Sequence, residues 1–280
     1  MPWQTQTHGP QGTNANPDAG PKAIPMTDAI FPDLKGASVF ITGGGSGIGA
    51  NLTEGFLRQG AKVDFVKISD AIAFSSDMAE KTGNRPLFLQ CDVTDIPLLR
   101  QRIAEAAEAH GPVTVLVNNA ANDQRHATLD VDEEFYDWSQ SINLKAYFFA
   151  CQAVIPGMQA AGGGSIVNFT SISYMMGNAG YPVYTTSNSG INGMTRSLAR
   201  EFGPDRIRVN ALAPGWVLTD KQLEMWASEK DLAAHMDRMC LKEHLKPEDI
   251  VGPTLFLASS VSGAMTGQAL VVDGGVVVTG

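Results

Sequence analysis

A glycine-rich turn near the start of the chain constrains its fold most strongly. The turn reads Thr42-Gly43-Gly44-Gly45-Ser46-Gly47-Ile48-Gly49, and it lies between a β-branched run at 38–41 and a helical stretch at 48–58. Glycines there let the backbone turn sharply, and the helix that follows presents unpaired N–H groups at its N-terminus. The pattern predicts a strand–turn–helix unit that binds a pyrophosphate, although glycines alone are also compatible with a flexible loop.

Short apolar runs alternate with helical stretches along the rest of the chain. The predicted strands are 38–41, 63–68, 87–91, 113–117, 165–169, 207–211 and 269–272, and the predicted helices include 48–58, 98–109, 132–158 and 187–202. This alternation predicts an α/β fold, a single-domain doubly wound parallel sheet with helices on both faces.

The chain divides into a tail and one domain. Residues 1–33 are rich in Pro, Gly, Asn and Thr, and we expect a flexible N-terminal tail there. Residues 34–280 form the predicted dinucleotide-binding and catalytic domain. The helical segment 218–244 interrupts the strand–helix alternation, so it is the candidate substrate-covering segment.

Charge and cysteine usage exclude several classes of protein. The net charge of −9 and the lack of any Lys/Arg block argue against a nucleic-acid partner. No signal-peptide pattern is visible, and polar residues break the apolar stretch 255–272, so we expect no membrane partner. The three cysteines, Cys91, Cys151 and Cys240, lie far apart, which predicts neither disulfides nor a metal site. These features predict a cytoplasmic protein.

Lys67 bears on the choice of nucleotide. An acid commonly stands at the end of the second strand, about 20 residues beyond the glycine turn, where it binds the ribose hydroxyls. Here Lys67 holds that place, and Asp64 comes three residues too early and should face elsewhere. A cation there favours a 2′-phosphate, so the sequence predicts NAD(P) with a preference for NADP. The alternative is a solvated lysine at a strand end.

Further motifs follow the predicted strands in a fixed order. Asp92-Val93 follows the third strand, Asn118-Asn119-Ala120-Ala121 the fourth, Ser171 the fifth and Pro214-Gly215 the sixth, while Asn143 and Tyr184 lie in helices. With the glycine turn, this series resembles the short-chain dehydrogenase/reductase superfamily from about residue 34 to the C-terminus. The resemblance implies a Rossmann-like fold, an NAD(P)-dependent oxidoreductase and a homotetramer.

The resemblance also implies a role for each motif residue. Ser171 would hydrogen-bond the substrate oxygen, Tyr184 would act as the general base, and Asn143 would hold a water in the proton relay. Together with the glycine turn and Lys67, the residues predicted to bind the cofactor are Gly43, Gly45, Ser46, Gly47, Ile48, Gly49, Lys67, Asp92, Val93, Asn119, Ala120, Ala121, Tyr184, Asn188, Pro214, Gly215, Val217 and Thr219.

Asn188 departs from the family pattern. A Tyr hydroxyl has a reference pKa of about 10 and needs help to act as a base near neutral pH. The family supplies that help with a Lys four residues after the Tyr, and here Asn188 occupies the place. We expect cofactor binding to survive and proton transfer to weaken by about 10²–10⁴-fold. The chain is then a deliberately substituted variant that traps a bound complex, a natural variant with compensation elsewhere, or a non-catalytic cofactor-binding sensor.

The stretch 117–126, which ends Asn122-Asp123-Gln124-Arg125-His126, indicates the substrate. It is similar to the bacterial sugar (aldose) 1-dehydrogenases of the superfamily, which oxidise the anomeric hydroxyl of a free aldose to an aldonolactone. Another secondary alcohol or ketone is the alternative, and the stretch could also be a polar loop with Arg125 in an ion pair. The residues predicted to contact the substrate are Asn122, Asp123, Gln124, Ser171, Ser173, Tyr184 and Trp216.

Overall fold

The computed structural model describes residues 29–278. Most of the predicted tail, residues 1–28, lies outside the described residues. The backbone N–H of Phe31 donates to Gln59 Oε1 at 2.8 Å, and Asp33 Oδ2 accepts from the N–H of Ser260 at 2.7 Å. Residues 31–33 therefore lie against the domain.

Seven parallel strands form one sheet in the order β3-β2-β1-β4-β5-β6-β7. The strands are β1 Ser38–Thr42, β2 Lys62–Lys67, β3 Leu87–Gln90, β4 Val115–Asn118, β5 Gly164–Phe169, β6 Ile207–Pro214 and β7 Ala269–Val272. Central strands buried on both faces carry almost continuous apolar runs, and β1 is buried at every position. The doubly wound parallel sheet predicted from the sequence is confirmed, with strand ends within one to three residues of those expected.

Helices cover both faces of this sheet. They are α1 Gly47–Arg58, α2 Ile72–Thr82, α3 Ile96–His110, α4 Glu133–Gln140, α5 Ala146–Ala160, α6 Ser173–Met176, α7 Pro182–Phe202, α8 Asp220–Met225, α9 Glu229–Arg238 and α10 Val251–Ala258. Apolar side chains of α1 and α10 fill the core on one face, and those of α3, α5 and α7 fill the core on the other. No helix within residues 29–278 is long and apolar enough to cross a membrane.

The prediction of one continuous helix at 132–158 is wrong. The structure divides it into α4, a π-helical turn at Ser141–Lys145, and α5. The hydrophobic pattern missed this turn because a single i→i+5 turn shifts the apolar face without ending the helix. The helix predicted at 187–202 begins earlier, at Pro182, where proline suits a first helical position.

The segment 218–244 forms the two short helices α8 and α9. A parallel bridge between Val217 and Leu245 closes its base. The sheet order reverses between β1 and β4, which places the crevice of an open α/β sheet beyond the carboxyl ends of these strands. The α8–α9 segment therefore lies at the edge of the sheet where a ligand is expected.

Candidate active site

A cavity of about 1070 Å³ opens at the carboxyl ends of the strands. The glycine turn and the ends of β2 and β3 line one part, which we call the cofactor end. The loop after β4 together with α8 and α9 lines the other part, which we call the substrate end. Ser171 and Tyr184 lie among the residues that line the same cavity, so the predicted proton-transfer groups and the glycine turn belong to one site.

The glycine turn folds back closely on itself. Gly43 has a φ of +72°, and a Cβ on Gly49 would lie 2.0 Å from the Gly43 carbonyl oxygen. The Thr53 hydroxyl donates to the Gly44 carbonyl at 2.8 Å and fixes the turn against α1. The side chains of Asp95 and Asp132 cap α3 and α4, whereas no side chain caps α1 at Ser46. The first N–H groups of α1 are thus left for an anionic ligand.

Most residues predicted for the cofactor line the cavity. They are Gly43, Ser46, Ile48, Gly49, Lys67, Asp92, Val93, Asn119, Ala120, Ala121, Tyr184, Asn188, Pro214, Gly215, Val217 and Thr219. Gly45 and Gly47 are not among the lining residues. The missing side chain of Gly45 makes room for the Phe65 ring and the Lys67 stem, and that of Gly47 makes room for the Thr219 methyl group.

Two of these lining side chains have structural partners. The Asn119 amide donates to the carbonyls of Thr42 at 3.1 Å and Gly43 at 3.3 Å, so it fastens β4 to the glycine turn. Asp92 Oδ1 accepts from the N–H and the hydroxyl of Thr94, at 2.9 and 2.8 Å. Asn119 Nδ2 therefore helps to hold the cofactor end in shape, while the second oxygen of Asp92 is left for a ligand.

Lys67 ends β2 beside the glycine turn. Its Cδ would lie 3.1 Å from a Cβ on Gly45, and within the described residues it forms no ion pair. Asp64 faces away from the cavity, as the sequence predicts. It is fully buried and its carboxylate lies 2.9 Å from His110 Nδ1. Burial raises the pKa of Asp64 to about 6 against the lowering effect of His110.

Tyr184 stands in the first turn of α7, and its half-buried side chain lines the cavity. Burial, and secondarily the charge of Asp123, raise the pKa of Tyr184 to about 12, although the polar neighbours Asn188 and Ser171 oppose the rise. Ser171 Oγ also accepts from the N–H of Ser173 at 3.1 Å. Tyr184 is therefore a phenol that holds its proton tightly.

Asn188 lies one turn after Tyr184 on α7 and is buried. Its Nδ2 donates to the backbone carbonyl of Tyr184 at 2.9 Å, which is a bond within the helix. Its own carbonyl accepts from the Thr170 hydroxyl at 3.0 Å and from Asn192 Nδ2 at 2.8 Å. The side chain borders the cavity but brings no charge to Tyr184.

Asn143 lies in the π-helical turn, and its side chain is occupied. Nδ2 donates to the carbonyls of Asn122 and Ser139, both at 3.0 Å, and Oδ1 accepts from the N–H of Asn122 at 2.8 Å. The side chain thus holds the loop after β4 in place. A relay water, if Asn143 holds one, would have to use its backbone.

The predicted substrate residues divide into two groups. Asn122, Asp123, Ser171, Ser173, Tyr184 and Trp216 line the cavity. Gln124 is exposed and does not line it, because the loop turns at Asn122, whose Oδ1 accepts from the N–H of Gln124 at 2.9 Å. The Ser173 hydroxyl is fully enclosed and has no partner among the described residues.

Side chains that connect the β4 loop to α8 organise the substrate end. Asp123 accepts from Lys221 Nζ at 3.3 Å and from Gln222 Nε2 at 2.7 Å. Gln222 Oε1 in turn accepts from Trp216 Nε1 at 2.9 Å. Asp123 and the Trp216 N–H are therefore partly used in holding the α8–α9 segment at the cavity, and the His235 ring packs edge-to-face with the Trp216 ring, with 5.4 Å between the centroids.

Sequence reasoning missed several lining residues. Arg125, read as a possible ion-pair partner, instead stacks on Tyr181 with 4.0 Å between its Cζ and the ring centroid, and lies 5.7 Å from the Trp226 centroid. The other lining residues outside the prediction include Tyr147, Tyr181, Trp226, His235 and Arg238. Of this group, Trp226, His235 and Arg238 lie in 218–244, which the sequence predicts only as a candidate substrate-covering segment.

Comparison with known proteins agrees with this geometry. Residues 43–277 match the family model described as enoyl-(acyl carrier protein) reductase. The chain is 50% identical over 253 residues to the probable galactose dehydrogenase GalD of Rhizobium meliloti, and the match covers 90% of this chain and 99% of that protein. It is 44% identical over 252 residues to the D-xylose 1-dehydrogenase of Caulobacter vibrioides, covering 89% and 99% of the two chains.

The chain belongs to the short-chain dehydrogenase/reductase family. A solved structure assigned to the short-chain alcohol dehydrogenases of Sinorhizobium meliloti 1021 superposes with a TM-score of 0.83 at 34% identity, covering 86% of this chain and 96% of that one. Membership makes the chain an oxidoreductase, and dehydrogenases of this family use NAD(P). The family predicted from the motifs is thereby confirmed.

Proposed function

We propose that this chain oxidises the anomeric hydroxyl of a free aldose to an aldonolactone, with NADP preferred over NAD. The observation that carries the proposal is the single cavity shared by the glycine turn, Ser171, Tyr184 and the polar loop from Asn122 to Arg125. The relatives named for galactose and D-xylose support a sugar substrate. Hydroxyl-rich substrates require several polar contacts, and the substrate end offers them beside the aromatic face of Trp216.

The cofactor end fits a dinucleotide. A Cβ at Gly43 would meet Ala120 Cα at 3.1 Å and one at Gly49 would meet the Gly43 carbonyl oxygen at 2.0 Å, so glycines allow the tight turn, and the uncapped start of α1 leaves N–H donors for a pyrophosphate. When bound, the nicotinamide supplies the hydride acceptor. Lys67, without an acidic partner among residues 29–278, favours a 2′-phosphate on the adenosine ribose.

In the proposed reaction, Tyr184 accepts the proton of the anomeric hydroxyl while a hydride leaves the anomeric carbon. Ser171 hydrogen-bonds the substrate oxygen and orients it toward Tyr184. Burial raises the pKa of Tyr184 to about 12, and Asn188 supplies no cation to lower it. We therefore expect turnover that is slow near neutral pH and rises as the solution becomes alkaline.

The test is NADPH or NADH formation from a panel of aldoses, with identification of the lactone product. D-galactose, D-xylose, L-arabinose and D-fucose are each supplied with NADP⁺ or NAD⁺, and the natural chain is compared with Asn188→Lys. We expect at least one aldose to be oxidised, faster by the lysine variant. If both proteins are inactive on every aldose, the substrate assignment is wrong.

A cofactor-binding protein without turnover is the second candidate. The bond that ties the Asn188 amide to its own helix favours it, because the family's lysine has no charged replacement. Tight NADPH binding with no oxidation of any aldose or other alcohol by Asn188→Lys supports this candidate over the enzyme.

A further inference from the structure

Arg125 lies at the substrate end, and its donors have no acceptor within residues 29–278. Its guanidinium carbon lies 4.0 Å from the centroid of the Tyr181 ring and 5.7 Å from that of the Trp226 ring. Among the same residues the side chain forms no hydrogen bond and no ion pair. Two aromatic rings, rather than an acid, therefore offset its charge, and the N–H groups in the guanidinium plane are left for a ligand that enters the cavity.

Hydrogen bonds of His126, the next residue, fix this loop relative to Tyr184. The His126 N–H donates to the Gly180 carbonyl at 2.8 Å, and its Nε2 accepts from the N–H of Val183 at 3.2 Å. Since Nε2 is an acceptor, Nδ1 carries the proton and donates to the Gln124 carbonyl at 2.9 Å. The loop after β4 is thereby fastened to the start of α7, which has Tyr184 in its first turn.

The Tyr181 ring gives the distance between the guanidinium and the proposed base. The centroids of the Tyr181 and Tyr184 rings lie 6.0 Å apart, and the Arg125 guanidinium carbon lies 4.0 Å from the first of them. The guanidinium carbon is therefore no more than about 10 Å from the centroid of the Tyr184 ring. A pyranose whose anomeric hydroxyl bonds to Tyr184 can reach Arg125 with the hydroxyls on the opposite side of its ring.

Trp226 adds a second unpartnered donor next to the guanidinium. It follows α8 directly and lines the cavity, and its Nε1 is enclosed with no hydrogen-bond partner among the described residues. An enclosed N–H without an acceptor costs free energy, which favours a ligand acceptor at this place. Guanidinium and indole N–H groups donate and do not accept, so the ligand groups that fit them are oxygen acceptors.

We propose that Arg125 and Trp226 determine sugar specificity by donating hydrogen bonds to the hydroxyl oxygens at C3 and C4 of the aldopyranose, opposite the carbon that is oxidised. The inference rests on the proposed function and specifies which part of the sugar is recognised. A planar guanidinium can donate to two adjacent oxygens at once. A sugar that lacks one of these hydroxyls leaves a donor unpaired, and binding is weakened accordingly.

The test is a cycle between side chain and substrate, measured as the Kd of the sugar for the natural chain saturated with NADPH. The parent sugar is whichever of D-galactose and D-xylose binds more tightly, and it is compared with its 2-, 3- and 4-deoxy forms. Arg125→Met keeps an unbranched side chain and removes the donors. We expect it to weaken binding of the parent sugar and of the 2-deoxy form by about 10–100-fold, the value of a hydrogen bond from a charged group. The 3-deoxy and 4-deoxy forms should lose a smaller factor.

Trp226→Phe keeps an aromatic ring next to Arg125 and removes only the indole N–H. We expect it to weaken binding of the parent sugar by about 3–10-fold, because the bond lost is a neutral one, and to have less effect on the 3-deoxy and 4-deoxy forms. Arg238→Met is the matched control. Arg238 also lines the cavity, but no aromatic ring of residues 29–278 holds its guanidinium. Its effect should be the same factor for all four sugars.

Two results overturn the inference. One is an equal loss by Arg125→Met for all four sugars. The other is binding of D-galacturonate that is much tighter than that of D-galactose and is lost in Arg125→Met, because the guanidinium then recognises a carboxylate. Arg125→Lys, which keeps the charge, should fall between the natural chain and Arg125→Met for the parent sugar, and thermal unfolding of each variant verifies that it is folded.

Sugar binding and sugar oxidation separate this inference from the proposed function. If no aldose is oxidised but the loss in Arg125→Met depends on the hydroxyls at C3 and C4, the proposed reaction fails and the role of Arg125 stands. If aldoses are oxidised and the loss is the same for every sugar, the role of Arg125 fails alone. If no sugar binds, both fail.

Discussion

The cofactor end and the substrate end of the cavity are built by different means. Backbone shape makes the first, since Gly43 and Gly49 allow the tight turn and the uncapped start of α1 supplies the N–H donors. Side chains from separate segments make the second, where Asp123, Gln222 and Trp216 connect the β4 loop to α8. A backbone site admits one kind of ligand group and tolerates few substitutions, whereas a side-chain site can change its specificity without changing the fold.

The largest effect should come from the glycine turn. Gly49→Ala places a Cβ 2.0 Å from the Gly43 carbonyl, so the turn must open. We expect a loss of about 1–3 kcal/mol in unfolding free energy and no measurable NADPH binding. Gly193→Ala on α7 is the control, because its Cβ meets nothing within 4 Å. Normal NADPH binding by Gly49→Ala contradicts the description of the cofactor end.

Tyr184 lies where the two ends meet, and its substitution separates binding from chemistry. Tyr184→Phe should lower kcat by about 10²–10⁴-fold while NADPH binding changes little. In the natural chain the rate of aldose oxidation should rise with pH without a plateau near neutrality, because the deprotonated phenol is required and burial raises its pKa to about 12. A plateau near neutral pH that Tyr184→Phe leaves unchanged points to another base.

Lys67 tests the cationic contact assigned to the cofactor end. Lys67→Asp should lower the affinity for NADP⁺ by roughly 10–100-fold, the value of a hydrogen bond to a charged group, and raise that for NAD⁺. Fluorescence titrations with both reduced nucleotides measure the change. Lys67→Gln separates loss of the cation from gain of an acid. An unchanged NADP/NAD preference in Lys67→Asp overturns the argument.

A smaller effect is expected at the substrate end. The Arg125 guanidinium is held against Tyr181 and Trp226 and has no hydrogen bond or ion pair among the described residues. Arg125→Lys keeps the charge and loses the planar fork, so KM for the aldose should rise about tenfold with NADPH affinity unchanged. A matching loss of NADPH affinity indicates that the two ends are not independent.

The sequence predicts the cofactor end better than the substrate end for a physical reason. Glycine spacing reports backbone shape directly, and β-branched runs report buried strands, so the turn and the parallel sheet could be predicted, although the strand order was not. The substrate end depends on which side chains of separate loops meet. Gln124 was predicted to contact the substrate, but its neighbour Arg125 lines the cavity instead. The turn in which Asn122 Oδ1 accepts from the N–H of Gln124 sets this orientation, and amino-acid composition does not predict it.

Two further residues show the same limit. Tyr147 carried no signal because a buried aromatic at helical spacing is typical of a core. Asn143 was recognised by its place in a motif, but only the structure shows that its side chain is occupied by Asn122 and Ser139. The motifs identify which positions matter, and the hydrogen bonds decide how each side chain is used.

The most direct measurement is the pH dependence of aldose oxidation by the natural chain and by Asn188→Lys, with the NADPH dissociation constant of each protein. The lysine variant should be faster at neutral pH and should reach its plateau at lower pH, because a cation beside Tyr184 lowers a pKa that burial raises to about 12. Both proteins should bind NADPH. Superimposable pH profiles in two active proteins would contradict the claim that the residue at position 188 affects proton transfer from the substrate and not cofactor binding.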